Sequence, residues 1–191
     1  MDADAYSSPE QAIRAFLTTG NKRGPAHPPP NAAGWQARTG GNELIARPDA
    51  IHFGRMRQTQ TRQLHTVTFE SIAGERMRLY CCVRRTADGG WLFDGGAGGS
   101  ADGDPHRSQA WVNLCGGGWP NSFYAAGRVV DDGGATTLVR LHTANGIVLE
   151  DSVDDDHIVL FLSDDAIQIP LEVELWDAAG RLVARHQAMT G

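Results

Sequence analysis

The sequence is poor in lysine: Lys22 stands alone against 16 arginines in 191 residues. That skew removes most lysine chemistry. No lysine follows a phosphate-cradling glycine loop, and none sits where a Schiff base or a lysine general base would be sought. Cysteine is nearly as scarce. Cys81, Cys82 and Cys115 form an odd set, two of them adjacent, which is a poor disulfide framework. On a strand, Cys81 and Cys82 point to opposite faces and cannot hold one ion together. The compartment expected is therefore the reducing cytoplasm, or the exterior if a signal peptide has been removed. No apolar run nears the roughly 20 residues of a membrane span, and the acidic start MDADAYSSPEQ lacks the apolar stretch of a signal peptide. Nucleophile motifs are missing too. There is no G-x-S-x-G elbow, and the seven histidines (27, 52, 65, 106, 142, 157 and 186) show no H-E-x-x-H or comparable ligand spacing.

What is present fits a globular protein, at 41% hydrophobic and 21% charged residues. The length suits one large domain or two small ones, with a core big enough to need no metal or disulfide for folding, and no cofactor is expected. Residues 8–19 predict a helix. Ser8 is a capping residue, Pro9 suits the first helical position, Gln11 completes a capping box, and Ala12, Ile13, Phe16 and Leu17 form one apolar stripe. The proline- and glycine-rich run at 20–41 predicts a loop. Residues 51–58, 63–72, 76–85 and 91–93 predict a β-meander. In the third of these, Met77, Leu79, Cys81 and Val83 share one face, and Arg76, Arg78, Tyr80, Cys82 and Arg84 the other, the pattern of a half-buried antiparallel strand.

Beyond residue 106 the pattern becomes seven short strands, at 110–114, 123–130, 136–142, 147–153, 158–162, 167–176 and 182–186, separated by Gly/Asp/Asn turn chemistry. HIVLFL, apolar on both faces, is expected at the centre of a sheet. Pro170 within IQIPLEVELW suggests an edge strand or a bulge. The fold class expected is mainly β: an α+β unit (residues 1–105) built from the helix and the meander, then a seven-stranded β-sandwich (residues 106–191). Charge divides the same halves. Residues 1–105 carry 12 basic and 11 acidic side chains, net +1, and residues 106–191 carry 5 and 12, net −7.

The run from Ala125 to His186, AAGRVVDDGGATTLVRLHTANGIVLEDSV…IPLEVELWDAAGRLVARH, resembles the small immunoglobulin-like sandwich modules that end many bacterial proteins. The closing hairpin with Asp177, Gly180, Arg181 and Val183 is part of that likeness. It implies a fold and an accessory or interaction role, and it carries over no catalytic residue. SPEQAIRAFL is similar to the first helix of cystatin-like and NTF2-like α+β domains, although the proline-rich run departs from their pattern.

Among candidate sites, WLFDGGAGGSADGDPHRSQAW includes a G-x-G-x-x-A match at Gly96–Ala101. A dinucleotide site needs a helix directly after the glycines, and ADGDPHRS does not supply one. The same residues approach a calcium nonapeptide, but Ser100 replaces the ligating Asp and no second copy follows. The run reads as a joint between the halves. Asp154, Asp155 and Asp156 read as a solvated turn, and no metal site is expected. The arginine face, with Arg76, Arg78, Tyr80 and Arg84, reads as a surface paired across strands with Glu70, Glu75 or Asp49. Its functional reading is a contact for an acidic protein or an anionic ligand. The net charge of −6 disfavours nucleic acid. Trp119, in a glycine-rich loop, is a second candidate contact. The leading functional expectation is thus a non-catalytic binding or protein-interaction module. A small hydrolase or transferase is the alternative, using Asp104, His106 or Cys115 near the joint. A third expectation is an anion or nucleic-acid binder acting through the arginine face. The pattern assigns no oligomeric state.

Overall fold

The computed structural model describes residues 5–19, 45–102, 109–119 and 121–189. The chain divides into two compact units, one made of residues 1–55 and 65–102, the other of residues 56–64 and 103–191. The expected loop at 20–41 and the joint residues 103–108 lie outside the described residues.

In the first unit, α1 (Pro9–Thr19) starts as its sequence dictates. The Gln11 amide donates to Ser8 Oγ at 3.2 Å, satisfying one of the N–H groups a helix start leaves open. The Gln11 side chain, however, accepts from Ser7 at 2.8 Å, so the box closes on the preceding residue. Ala12, Ile13 and Leu17 are buried, with Phe16 packed against the same core. They face β3 (Arg76–Arg85) and β4 (Trp91–Ser100), two strands of a meander ordered β1-β2-β3-β4 with β1 at His52–Gln58 and β2 at Arg62–Glu70. Phe16 stacks on Phe93 at 3.7 Å. Val67, Phe69, Met77, Leu79, Cys81 and Val83 supply the sheet side of this core.

Two expectations fail in this sheet. The glycine run is a strand, not a joint: β4 pairs with β3 from Arg85↔Trp91 to Met77↔Ser100. The glycines permit close approach. A Cβ on Gly98, whose φ is +151°, would lie 2.2 Å from the Arg78 carbonyl oxygen. Nor is β3 half-buried. Tyr80 (5% exposed) and Cys82 (0%) are as inaccessible as the residues of the helix-facing row. Alternation assigns residues to faces; it does not say whether the second face is wet.

The second unit contains a seven-stranded sandwich. One sheet has the order β11-β10-β7-β8 and the other β5-β6-β9, with β5 at Trp111–Trp119, β6 at Ser122–Val130, β7 at Thr136–Thr143, β8 at Val148–Ser152, β9 at Ile158–Ser163, β10 at Leu171–Asp177 and β11 at Leu182–Met189. Val112, Phe123, Ala125, Val129, Val159 and Phe161 from one sheet meet Val139, Leu141, Leu171, Val173 and Leu175 from the other in a single core. The protein is therefore mainly β, with one N-terminal helix and antiparallel sheets among the described residues.

Three details differ from expectation. Gly116–Gly118 belong to β5 rather than to a loop, because a Cβ on Gly116 would lie 2.1 Å from the Tyr124 carbonyl oxygen on β6. Pro170 sits just ahead of β10, which is a central strand: it pairs with β7 on one side and β11 on the other. Ile169 is accordingly exposed, while Leu171 and Val173 are core. Finally, β9 is buried at all six positions, yet it ends its sheet and hydrogen-bonds to β6 alone.

Candidate functional site

The position of β9 poses a hydrogen-bonding problem. A sheet-end strand leaves alternate N–H and C=O groups unpaired, and buried ones are costly. Side chains answer it. The Leu160 amide donates to Asp151 Oδ2 at 2.7 Å, and the Ile158 amide to Asp154 Oδ1 at 2.7 Å. Arg57 Nη1 donates to the Leu160 carbonyl at 3.2 Å, the Glu150 carbonyl at 2.8 Å and Asp151 Oδ1 at 3.0 Å. Asp151 is 8% exposed. Next to this pair, Asp164 Oδ1 accepts from Thr59, Thr61 and Arg62. Burial pushes the Asp164 carboxyl up, but these donors outweigh it and hold its pKa below the ordinary value. The β8/β9 side of the sandwich is thus closed by charged side chains.

Among the described residues, the opposite side is open. There β11 ends one sheet and β5 the other. A cavity of about 480 Å³ lies between them, lined by residues 109–111 and 183–186. Its volume falls within the range of ligand pockets. Trp111 stacks on His186 at 4.0 Å and 17°, making an aromatic wall. Leu182 and Val183 stay 47% and 37% exposed along the strand edge.

Arg185, also on the cavity lining, anchors a row of opposite charges that crosses the outer sheet face. The register places Arg185 opposite Glu174, Glu174 opposite Arg140, and Arg140 opposite Glu150. Glu174 is 5% exposed. It accepts from Arg185 and, at 3.1 Å, from Trp176 Nε1, and His142 Nε2 lies 3.1 Å from its Oε2. Burial raises its pKa, but Arg185 and the neighbouring His142 prevail and the net shift is downward. Arg140 pairs with Glu150 and lies over the Trp176 ring at 4.9 Å. Every carboxylate in the row has a cation, so the row stiffens the sheet beside the cavity. Its bidding for ligand is correspondingly small.

No family model, curated protein or solved structure matches this chain. The site therefore stands on geometry.

The residues singled out from sequence are scattered. Arg76 pairs with Asp102 at 3.6 Å and Arg84 with Asp94 at 3.3 Å. The expected acids bind elsewhere, since Glu70 and Asp49 both pair with Arg47. Arg78 is half-buried, and its Nε has no hydrogen-bond partner among the described residues. Tyr80 is buried and offers no surface ring. Cys115 is half-buried on β5, and burial pushes its thiol up to about 11, the reverse of an activated nucleophile. Asp104, His106 and the Trp119 side chain lie outside the described residues. Among the described residues, no three His, Cys, Asp or Glu side chains gather as metal ligands, and no helix is long and apolar enough to cross a membrane. Sequence reasoning missed Trp111 and His186, and it set Arg57 beside the arginine face rather than on Asp151. Only the placement of β5 as the neighbour of β11 could have flagged the first two.

Proposed function

We propose that the chain is a non-catalytic binding or protein-interaction module whose contact site is the open side of its sandwich. The observation that carries this reading is the cavity between β11 and β5, with its Trp111–His186 wall, on a sandwich whose other side is closed. A half-open cavity beside a stacked aromatic pair offers both an apolar face and hydrogen-bonding edges to an occupant. The resemblance to immunoglobulin-like accessory modules points the same way. The enzyme alternative loses weight because the Cys115 thiol stays protonated near neutral pH. A peptide and fragment library, screened by ¹H–¹⁵N correlation NMR, is expected to shift the amides of residues 109–111 and 183–186. Hits centred on Cys115 or on the arginine face would overturn this assignment.

A second reading has its own support. The buried Arg78 Nε lacks a partner among the described residues, and Arg76 and Arg84 flank it on the same strand. An anion, or an acidic protein, would use that face. Arg78→Glu should then weaken retention on immobilised heparin; unchanged retention removes the anion reading.

A further inference from the structure

We propose that Arg78 and Thr66 form a site for a single carboxylate group, on the face of the meander turned away from α1. This rests on the second reading above and deepens it, adding a residue and naming the chemical class of the ligand.

Alternation fixes the face. Val67 and Phe69 on β2, with Met77 and Leu79 on β3, belong to the core that holds the α1 stripe. Thr66, Thr68 and Arg78 therefore project from the other side of the sheet. Across the turn joining these strands, the Ser71 amide donates to the Glu75 carbonyl at 2.8 Å. Counting back from that pair sets Thr68 opposite Arg78 and Thr66 one pair further on, diagonal to it. A long side chain reaches its diagonal neighbour.

Both residues bury polar atoms with nothing to bond. Thr66 is 4% exposed, and its Oγ1 has no hydrogen-bond partner among the described residues. The buried Arg78 Nε has none either. Such groups cost free energy until an acceptor arrives. The arginines two places before and six after are served, Arg76 by Asp102 and Arg84 by Asp94. Of the three, Arg78 alone lacks an ion pair among the described residues. The Thr66 methyl lies 3.8 Å from where a Cβ on Gly54 of β1 would sit, so the hydroxyl is the branch left for the β3 side.

Gly99 supplies the space. It is the β4 partner of Arg78, and a Cβ there would meet nothing within 4 Å. A side chain at that position would stand on the same face as Arg78, so the glycine leaves room for a small group beside the half-buried guanidinium.

Charge and donor count select the group. One unpaired cation balances one negative charge. The Nε–H and the hydroxyl offer two donors, which suit the two oxygens of a carboxylate. A phosphate dianion would leave a charge uncompensated in a half-buried place, and a neutral ligand would leave the guanidinium unpaired.

The test uses the full chain with sodium acetate, against sodium chloride and sodium phosphate at equal ionic strength. In ¹H–¹⁵N spectra of the arginine side chains, the Arg78 Nε–H signal is identified by its loss in Arg78→Lys. It should move saturably with acetate, not with chloride, and less with phosphate at the same concentration. Thr66→Val keeps the shape and removes the hydroxyl. Without acetate this variant should melt at or above the temperature of the unaltered chain, and its acetate affinity should be at least about fivefold weaker. An end-blocked peptide with one glutamate separates two sources of the group. A shift like that with acetate supports a partner's acidic side chain as the carrier; a shift with acetate alone supports a free acid. An Arg78 Nε–H signal unmoved by acetate, or moved equally by chloride, overturns the proposal. So does stronger binding of phosphate than of acetate, acetate affinity unchanged in Thr66→Val, or a Thr66→Val variant that melts lower, since its hydroxyl would then already be engaged. If acetate has no effect while Arg78→Glu still weakens heparin retention, the carboxylate site falls and the anion-binding face stands.

Discussion

On the β8/β9 side of the sandwich, the outward backbone of a fully buried strand is met by Asp151, Asp154 and Arg57. On the β11/β5 side, a strand of similar length keeps its outer groups turned to a cavity beside exposed Leu182 and Val183. Both strands end a sheet, so both carry the same risk of unwanted pairing. The first is sealed by side chains drawn from two separate stretches of the chain, Arg57 in one and Asp151 with Asp154 in the other. The second keeps its charges on the outer face, beside the cavity. The difference teaches that an edge is closed by what its neighbours supply rather than by its own sequence. HIVLFL, the more apolar strand, is the protected one.

The largest effect that could break this comparison is at Asp151. Asp151→Ala leaves the Leu160 amide without its acceptor and takes the carboxylate from Arg57, whose side chain is 35% exposed. The expected cost is about 2–3 kcal/mol, below the range for a wholly buried pair because Arg57 is partly wet. Arg185→Ala on the open side leaves the buried Glu174 beside His142 and Trp176 and should move the urea midpoint less than Asp151→Ala, because those two partners remain on the carboxylate. Equal midpoint shifts for the two variants would dissolve the contrast.

His157 offers a smaller test on the closed side. Its φ is +59°, in the left-handed region, at the loop residue directly before β9. His157→Val should cost roughly 1–2 kcal/mol, while His157→Gly should be neutral or slightly stabilising at equilibrium unfolding. Two equally destabilising substitutions would mean that the imidazole, not the backbone, holds the loop.

Acid titration sharpens the open side. The Glu174 pKa is lowered in the folded protein, the cationic donors outweighing burial. Its contribution to stability is then complete above the unfolded carboxyl value, about 4.3, and is lost as pH falls through the lower folded value. Glu174→Gln should flatten that part of the stability profile below about pH 4. A profile of unchanged slope would assign the acid sensitivity elsewhere, with Asp131 and Asp164, also lowered, the first to examine.

The smallest expected effect is at Cys115. With a thiol near 11, only about a thousandth is thiolate at pH 8, so iodoacetamide labelling of the folded protein should be slow and rise on unfolding. Rapid labelling would restore Cys115 as a nucleophile.

The legible parts of the fold were those where one residue type meets one local need. Ser8 caps α1, and the apolar spacing of Ala12, Ile13 and Leu17 marks its buried stripe. Alternation at Leu171, Val173 and Leu175 marks the sandwich interior. Glycine hid the second halves of two strands, because β4 beyond Asp94 and β5 beyond Cys115 offer few side chains from which a period can be read. Arginine misled for another reason. Its long side chain reaches partners far away in sequence, so Arg57 meets Asp151 while Arg47 takes the acids expected to pair with the β3 arginines. The candidate site was not legible: Trp111 and His186 are 75 positions apart, and neither sits in a motif.

By itself the sequence determined the fold class, the helix start, the strand-rich second half and the absence of a nucleophile or ligand motif, because propensity and periodicity act over a few residues. Only the tertiary structure decided which strands end their sheets, which ends are sealed and where a cavity opens. Those outcomes depend on hydrogen-bond partners that distant segments bring to the backbone, and no local pattern encodes them.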